Sequence, residues 1–239
     1  MSNKTLDRFS QGLIVSCQAL PDEPLHSSYI MARMAAAALE GGAVGIRANG
    51  YSDIVEIKKT VDLPVIGIVK RDYDDSPVYI TPTIKEVKEL LEAGVDVIAL
   101  DATTSIRPNN SSLEQLLAEI KELDTDVLLM ADCSTIAEAK KAVDLGFDII
   151  STTLVGYTPQ SKDLDLSADD YAPLKEIIEY TKANGKYFIA EGNMDTEEKI
   201  SNAIKLGANS IVIGSMITRP QLITKRFVNI VETAKDKLC

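Results

Sequence analysis

The sequence predicts an α/β fold, a single (β/α)8 barrel, on three observations. Short β-branched apolar runs recur eight times, each run is continuously apolar rather than alternating, and each is followed by a stretch of helical periodicity. Continuous runs of this kind belong to parallel strands buried on both faces by crossover helices. The length agrees, because α/β barrels commonly occupy about 200–250 residues as one unit. One domain over residues 1–239 is therefore expected.

The elements follow in order. GLIVSC (12–17) precedes a helical pattern over 27–40, AVGIRA (43–48) one over 51–61, and PVIGIVK (64–70) one over 83–93. DVIALD (96–101) leads to 111–122, DVLLMAD (126–132) to 134–145, and DIISTT (148–153) to 168–183. KYFIAE (186–191) and SIVIGS (210–215) are followed by 196–206 and 220–236. Four helices run out at Gly41-Gly42, Gly94, Gly146 and Gly207, where glycine can take the left-handed cap before the next strand. TPQSKDLDLSADD (158–170) reads as a loop over the sixth strand and a candidate lid. Strand and helix alternation also fits an open doubly wound sheet, but the first strand lacks the G-x-G-x-x-G turn of dinucleotide sites. The eight units and that missing turn favour the closed form of a TIM barrel.

Composition narrows the function. A formal charge of −11 and a pI near 4.7 disfavour nucleic acid as a partner, since phosphate neutralisation needs a basic face. No apolar run approaches the roughly 18 residues of a membrane span, and the opening MSNKTLDRFSQGLIVSC has no secretory apolar region. A cytoplasmic enzyme is expected, with neither membrane nor nucleic acid as partner. Cys17, Cys133 and Cys239 show no C-x-x-C spacing and read as free thiols. His26 is the only histidine, which removes every mechanism that needs two.

Barrel enzymes gather their reactive groups where strands end. The strand ends here are Ser16-Cys17-Gln18, Arg47-Ala48-Asn49, Lys70-Arg71, Asp101, Asp132, Thr152-Thr153, Glu191 and Ser215. Lys70, Asp132 and Glu191 each close an apolar run, and with Asp101 they read as catalytic candidates rather than surface charges. An anion would be held after the seventh and eighth strands, where Gly192 and Gly214-Ser215 let backbone N–H groups approach and Arg219 adds a cationic fork.

Nearly the whole chain resembles the N-acetylmannosamine-6-phosphate 2-epimerase family. The resemblance rests on GLIVSCQALPDEPLH (12–26), GIRANG (45–50), PVIGIVKR (64–71), ITPT (80–83), IALDAT (98–103), LMADCST (129–135), TTLVGYT (152–158), IAEGN (189–193) and VIGSMITRP (212–220). It implies that Lys70 is the catalytic acid/base and that Glu191 lies by the sugar ring. It places Gln18, Arg47 and Asp132 against the substrate, and the phosphate on Gly192, Gly214, Ser215 and Arg219. The implied reaction interconverts N-acetylmannosamine 6-phosphate and N-acetylglucosamine 6-phosphate in sialic acid and amino sugar breakdown, with no metal and no organic cofactor.

The chemistry is self-consistent. Opening the pyranose puts the C2 proton alpha to an aldehyde, and a carboxylate such as Glu191 or Asp132 can shuttle the ring-opening protons. Lys70 must be neutral to take the C2 proton; burial and Arg47 lower its pKa, whereas nearby carboxylates raise it. Gln18 and Arg47 suit the enolate oxygen or the N-acetyl carbonyl. Two other readings compete: a Schiff-base aldolase acting on a sugar phosphate through Lys70, and a non-catalytic barrel that binds a sugar phosphate. His26 reads as a loop residue, Arg71 with Asp72-Tyr73-Asp74-Asp75 as a solvated loop, and Tyr157 as lining or packing. The last helix carries Phe227, Ile230, Val231 and Ala234 at helical spacing, and packing on its own barrel is expected. The alternative is a homodimer that exchanges this helix.

Overall fold

The eight apolar runs pair in sequence order and close on themselves: each strand lies parallel to the next, and the first meets the last. A computed structural model of the chain describes residues 3–236. Its elements are α1 (Lys4–Phe9), β1 (Gly12–Cys17), α2 (Ser28–Glu40), β2 (Gly45–Asn49), α3 (Tyr51–Thr60) and β3 (Val65–Ile68). They continue with α4 (Ile84–Ala93), β4 (Val97–Asp101), α5 (Leu113–Lys121), β5 (Leu128–Asp132), α6 (Ile136–Asp144) and β6 (Ile149–Ser151). The last are α7 (Ala168–Ala183), β7 (Tyr187–Ala190), α8 (Glu197–Leu206), β8 (Ser210–Ile213), α9 (Ser215–Thr218) and α10 (Pro220–Asp236). Cys239 lies outside the described residues.

Alternate strand residues face opposite ways, so the core has two shells. Ile14, Ile66, Ile68, Met130, Ile149 and Val212 belong to the inner cluster, while Val15, Ile46, Ile98, Ile150 and Ile211 pack outward under the helices. The sequence pattern assigned no element to residues 4–9. There α1 delivers Phe9, fully buried, into the inner cluster at the amino end of the barrel. Gly45 is needed for this, because a Cβ there would lie 2.4 Å from the Phe9 ring.

Local chemistry sets the helix ends. Thr83 with Glu86, Ser112 with Gln115, and Thr135 with Glu138 form reciprocal capping boxes at α4, α5 and α6. Gly94 and Gly207 end α4 and α8 in the left-handed conformation. In α7 the residues Asp169, Asp170 and Tyr171 have positive φ, so the regular helix starts later than the pattern indicates, near Pro173. The 158–170 loop is fastened to the barrel: Ser161 is fully buried and its Oγ accepts from the Gly156 N–H at 3.0 Å, and Leu166 is buried.

One expectation is refined and one is corrected. Asp72, Asp74 and Asp75 are exposed, as a solvated loop requires, but the segment does not hang free. Arg71 forks Glu89 with two 3.0 Å bonds and pairs with the fully buried Glu86, and the Tyr73 hydroxyl donates to Glu86 at 3.0 Å. The segment thereby turns back as a strap, with Arg71 N–H donating to the Tyr79 carbonyl. Nor does the last helix pack on its own barrel. No described residue of α10 is buried, its main neighbour is α9, and Phe227, Ile230 and Val231 are more than half exposed.

Candidate active site

The strand ends open into a pocket of about 320 Å³. Gln18, Arg47, Lys70, Glu191, Gly192, Gly214, Ser215 and Arg219 all line it. Of the site residues read from the sequence, Asp101 and Asp132 do not. Asp101 is buried and accepts from the Thr103 N–H and hydroxyl at 2.9 and 2.7 Å. Asp132 lies beneath Arg47, fully buried, on the strand register that pairs it with Asp101 and Ser151.

Arg47 organises the base of the pocket. Its Nη1 donates to Asp132 Oδ1 at 3.0 Å and to Glu191 Oε2 at 2.7 Å, and its Nη2 donates to Asp132 Oδ2 at 2.5 Å. Burial alone would lower the Arg47 pKa, but the two carboxylates outweigh it and hold the guanidinium charged. Its Nε is buried without an acceptor among the described residues. Glu191 is pushed upward from the usual carboxylate range, chiefly by burial and also by Asp132, against the opposing pull of Arg47. The Thr153 hydroxyl bears on the same point: it lies 2.7 Å from Asp132 Oδ1 and 3.0 Å from Glu191 Oε2. One hydroxyl proton cannot serve both fully. A protonated Glu191 would satisfy the second contact.

Lys70 is fixed through its backbone. Its N–H donates to Asn49 Oδ1 at 2.8 Å, and it forms an antiparallel bridge to Ile80 on the returning strap. Among the described residues the ammonium has no ion-pair partner. Burial first, then Arg219 and Arg47, lower its pKa to about 8 against the pull of Glu191 and Glu23. About a tenth is therefore the free amine at pH 7, far more than for an ordinary lysine, and a proton-abstracting base needs that form. Gln18 donates to Ser16 Oγ at 2.8 Å, which orients its amide.

Gly192 follows the seventh strand, and Gly214, Ser215 and Arg219 follow the eighth. Gly192 has φ 86°, and an added Cβ would lie 3.0 Å from the Thr152 carbonyl oxygen. At Gly214 a Cβ would meet Ser16 Cβ at 3.1 Å. Arg219 pairs through Nε with Glu23 at 2.8 Å, while its Nη1 is 3.5 Å from Ser215 Oγ. Sequence reading missed Tyr79 and Asn193, which also line the pocket. Tyr79 follows no strand and reaches the site only through the strap; Asn193, with φ 53°, carries no signal beyond its place after Gly192. His26 lies outside the pocket and contacts the Ala19 carbonyl.

A family model described as "Putative N-acetylmannosamine-6-phosphate epimerase" matches residues 31–233. The chain belongs to this family. It is 56% identical over 219 residues to a Staphylococcus saprophyticus protein, covering 92% of this chain and 97% of that one. It is 47% identical over 237 residues to a Listeria monocytogenes serotype 4a protein, covering 99% of each. Both relatives carry the name "Putative N-acetylmannosamine-6-phosphate 2-epimerase". Among solved structures, the N-acetylmannosamine-6-phosphate 2-epimerase from Clostridium perfringens superposes with a TM-score of 0.87 at 51% identity, covering 96% of this chain and 97% of that one. Among the described residues no helix is long and apolar enough to cross a membrane.

Proposed function

We propose that this chain epimerises N-acetylmannosamine 6-phosphate and N-acetylglucosamine 6-phosphate at C2, with Lys70 as the acid/base. The carrying observation is an ammonium without an ion-pair partner among the described residues, its pKa lowered to about 8, in a pocket that Gly192, Gly214, Ser215 and Arg219 also line. Family membership supports the substrate pair.

The phosphate rests on the two glycine loops and Arg219, which sets the sugar across the barrel mouth. Glu191 passes a proton to the ring oxygen as the pyranose opens, and takes one from O1. The Lys70 amine removes the C2 proton, and the C–H electron pair moves into a C1–C2 double bond, leaving charge on O1. Arg47 and Gln18 donate to that oxygen or to the N-acetyl carbonyl, with Asp132 holding Arg47 from below. The enolate turns, Lys70 returns the proton to the opposite face, and the ring recloses. No metal or organic cofactor enters this sequence. The setting is amino sugar and sialic acid breakdown in the cytoplasm, where the buried free thiols Cys17 and Cys133 would stay reduced.

Incubation in deuterium oxide tests substrate, reaction and residue together. Deuterium should appear at C2 with the wild-type protein, and Lys70→Ala should lose exchange by about 10²–10⁴-fold, the usual weight of a general base. Full exchange in Lys70→Ala displaces Lys70 from its role. A borohydride-trapped adduct on Lys70 would point to Schiff-base chemistry, and no exchange at all to a binding barrel.

The protein assembles as a homodimer that exchanges α10. Leu13 on β1 and Ile213 on β8 stay half-buried on the outer side, and Leu39 of α2, Ile204 of α8 and Ile217 of α9 are exposed. This is the sector that the helix after β8 normally covers, while α10 exposes an apolar face of its own. Light scattering should give twice the 25.9 kDa chain mass, and Phe227→Asp should lower it. A monomeric wild-type protein rejects the exchange.

A further inference from the structure

We propose that Glu23 is a positioning residue for the phosphate end of the pocket, acting through Arg219. The proposal rests on the epimerase reading above, in which that end receives a phosphate.

Glu23 belongs to the β1–α2 loop and does not line the pocket, whereas Arg219 does. Its carboxylate accepts three hydrogen bonds and makes one further ion-pair contact. Oε2 accepts from the Leu20 N–H at 2.8 Å and from Arg219 Nη2 at 2.9 Å; Oε1 accepts from Gln221 Nε2 at 3.0 Å and lies 2.8 Å from Arg219 Nε. The pair is two-pronged and mostly shielded, with side-chain exposures of 23% for Arg219 and 17% for Glu23. It joins residues 196 positions apart across the seam where β1 meets β8.

The geometry divides the guanidinium. One edge, Nε with Nη2, is taken by Glu23; the remaining Nη1 sits beside Ser215 Oγ, which lines the pocket. A free arginine side chain gives up rotamer freedom when it is fixed. Here the fork is fixed before a ligand arrives, so the anion does not bear that cost. The Arg219 guanidinium, the Leu20 N–H and the Gln221 amide compensate the carboxylate, which limits its repulsion of the phosphate. Leu20 N–H and Gln221 hold Glu23 in turn, so the loop before α2 and the start of α10 both set where the arginine points.

The test compares wild type, Glu23→Gln, Glu23→Asp, Arg219→Ala and the Glu23→Gln/Arg219→Ala double variant. Steady-state epimerisation is read beside the calorimetric Kd for inorganic phosphate. Glutamine keeps the size but offers one acceptor oxygen, which breaks the two-pronged contact. Glu23→Gln should raise KM and the phosphate Kd by about tenfold with kcat changed less than threefold, which corresponds to ~1.4 kcal/mol of binding. Glu23→Asp, which keeps the carboxylate, should recover part of that loss. In the Arg219→Ala background Glu23→Gln should add less than twofold, because nothing is left to orient. A KM and Kd within twofold of wild type in Glu23→Gln overturns the proposal, as does an equal effect with and without Arg219. If the wild type binds phosphate but exchanges no C2 proton, the epimerase reading fails, and the Kd comparison still decides Glu23.

Discussion

On the reading proposed above the pocket has a sugar end and a phosphate end, and the residues assigned to each are held differently. At the sugar end the working groups are side chains on strands: Arg47 and Asp132 are essentially fully buried, and Glu191 joins them through a 2.7 Å contact. At the phosphate end they are backbone N–H groups and an arginine on loops, held by a loop carboxylate from the other side of the seam. The first is rigid because the barrel is rigid. The second owes its order to a few contacts between connections. Damage to the sugar end should therefore cost stability as well as activity, and damage to the phosphate end mainly affinity.

Arg47→Ala probes the contrast most severely. Removing one partner of a buried pair leaves Asp132 uncompensated, and such losses run to about 3–5 kcal/mol. Urea unfolding should show a deficit of that size, together with lost turnover. Arg219→Ala removes a partly exposed pair and should cost about 1 kcal/mol or less in the same assay. Similar deficits in the two variants would break the distinction between a strand-built and a loop-built end.

The same distinction governs what the sequence revealed. Lys70, Asp132 and Glu191 each close an apolar run, so their place at the barrel mouth follows from periodicity, and the eight strands were legible for that reason. The role of Lys70 came from resemblance rather than pattern. Glu23 was illegible, because its partner lies 196 residues away and only barrel closure brings them together. Tyr79 was hidden by the strap, whose anchors Arg71, Glu86 and Glu89 look like ordinary surface charges along the chain. The last helix misled for another reason: an apolar stripe shows that a face needs covering, not which copy of the barrel covers it.

Lys70 sharpens the contrast with Arg47, because these neighbours should affect stability in opposite directions. Its folded pKa of about 8 lies below the ordinary 10.5, so the unfolded chain binds this proton more tightly than the folded one. The folded state bears the cost of a buried charge below about pH 8 and is relieved as pH climbs toward 10.5. Lys70→Met should thus be inactive yet more stable than wild type at pH 7, by about 1–3 kcal/mol. Urea unfolding at pH 7 and pH 10 should show the advantage shrinking at the higher pH. In the wild type, kcat/KM should follow a bell-shaped pH profile, rising as the Lys70 amine form fills toward about 8 and falling as Glu191 loses the proton it donates. Equal stability at both pH values would show that the ammonium is not desolvated.

The smallest effect is expected where the two ends meet. Gly192 follows Glu191 directly, and its φ of 86° is one that other residues hold at a cost of about 1–2 kcal/mol. A Cβ there would also lie 3.0 Å and 3.2 Å from the Thr152 and Thr153 carbonyl oxygens, and backbone yields less readily than side chains. Gly214 is different: its φ is ordinary, and its added Cβ would meet a side-chain atom, Ser16 Cβ, at 3.1 Å. Gly192→Ala should therefore lose about 1–2 kcal/mol of stability, and Gly214→Ala less. The split between KM and kcat is the more telling readout. If the loop yields alone, Gly192→Ala raises KM and spares kcat. If the strain passes back through the Thr152 hydroxyl, which donates to the Glu191 carbonyl at 2.8 Å, kcat falls with it. The rigidity of the sugar end predicts the first outcome, since Glu191 is also held from its side chain by Arg47 and Thr153.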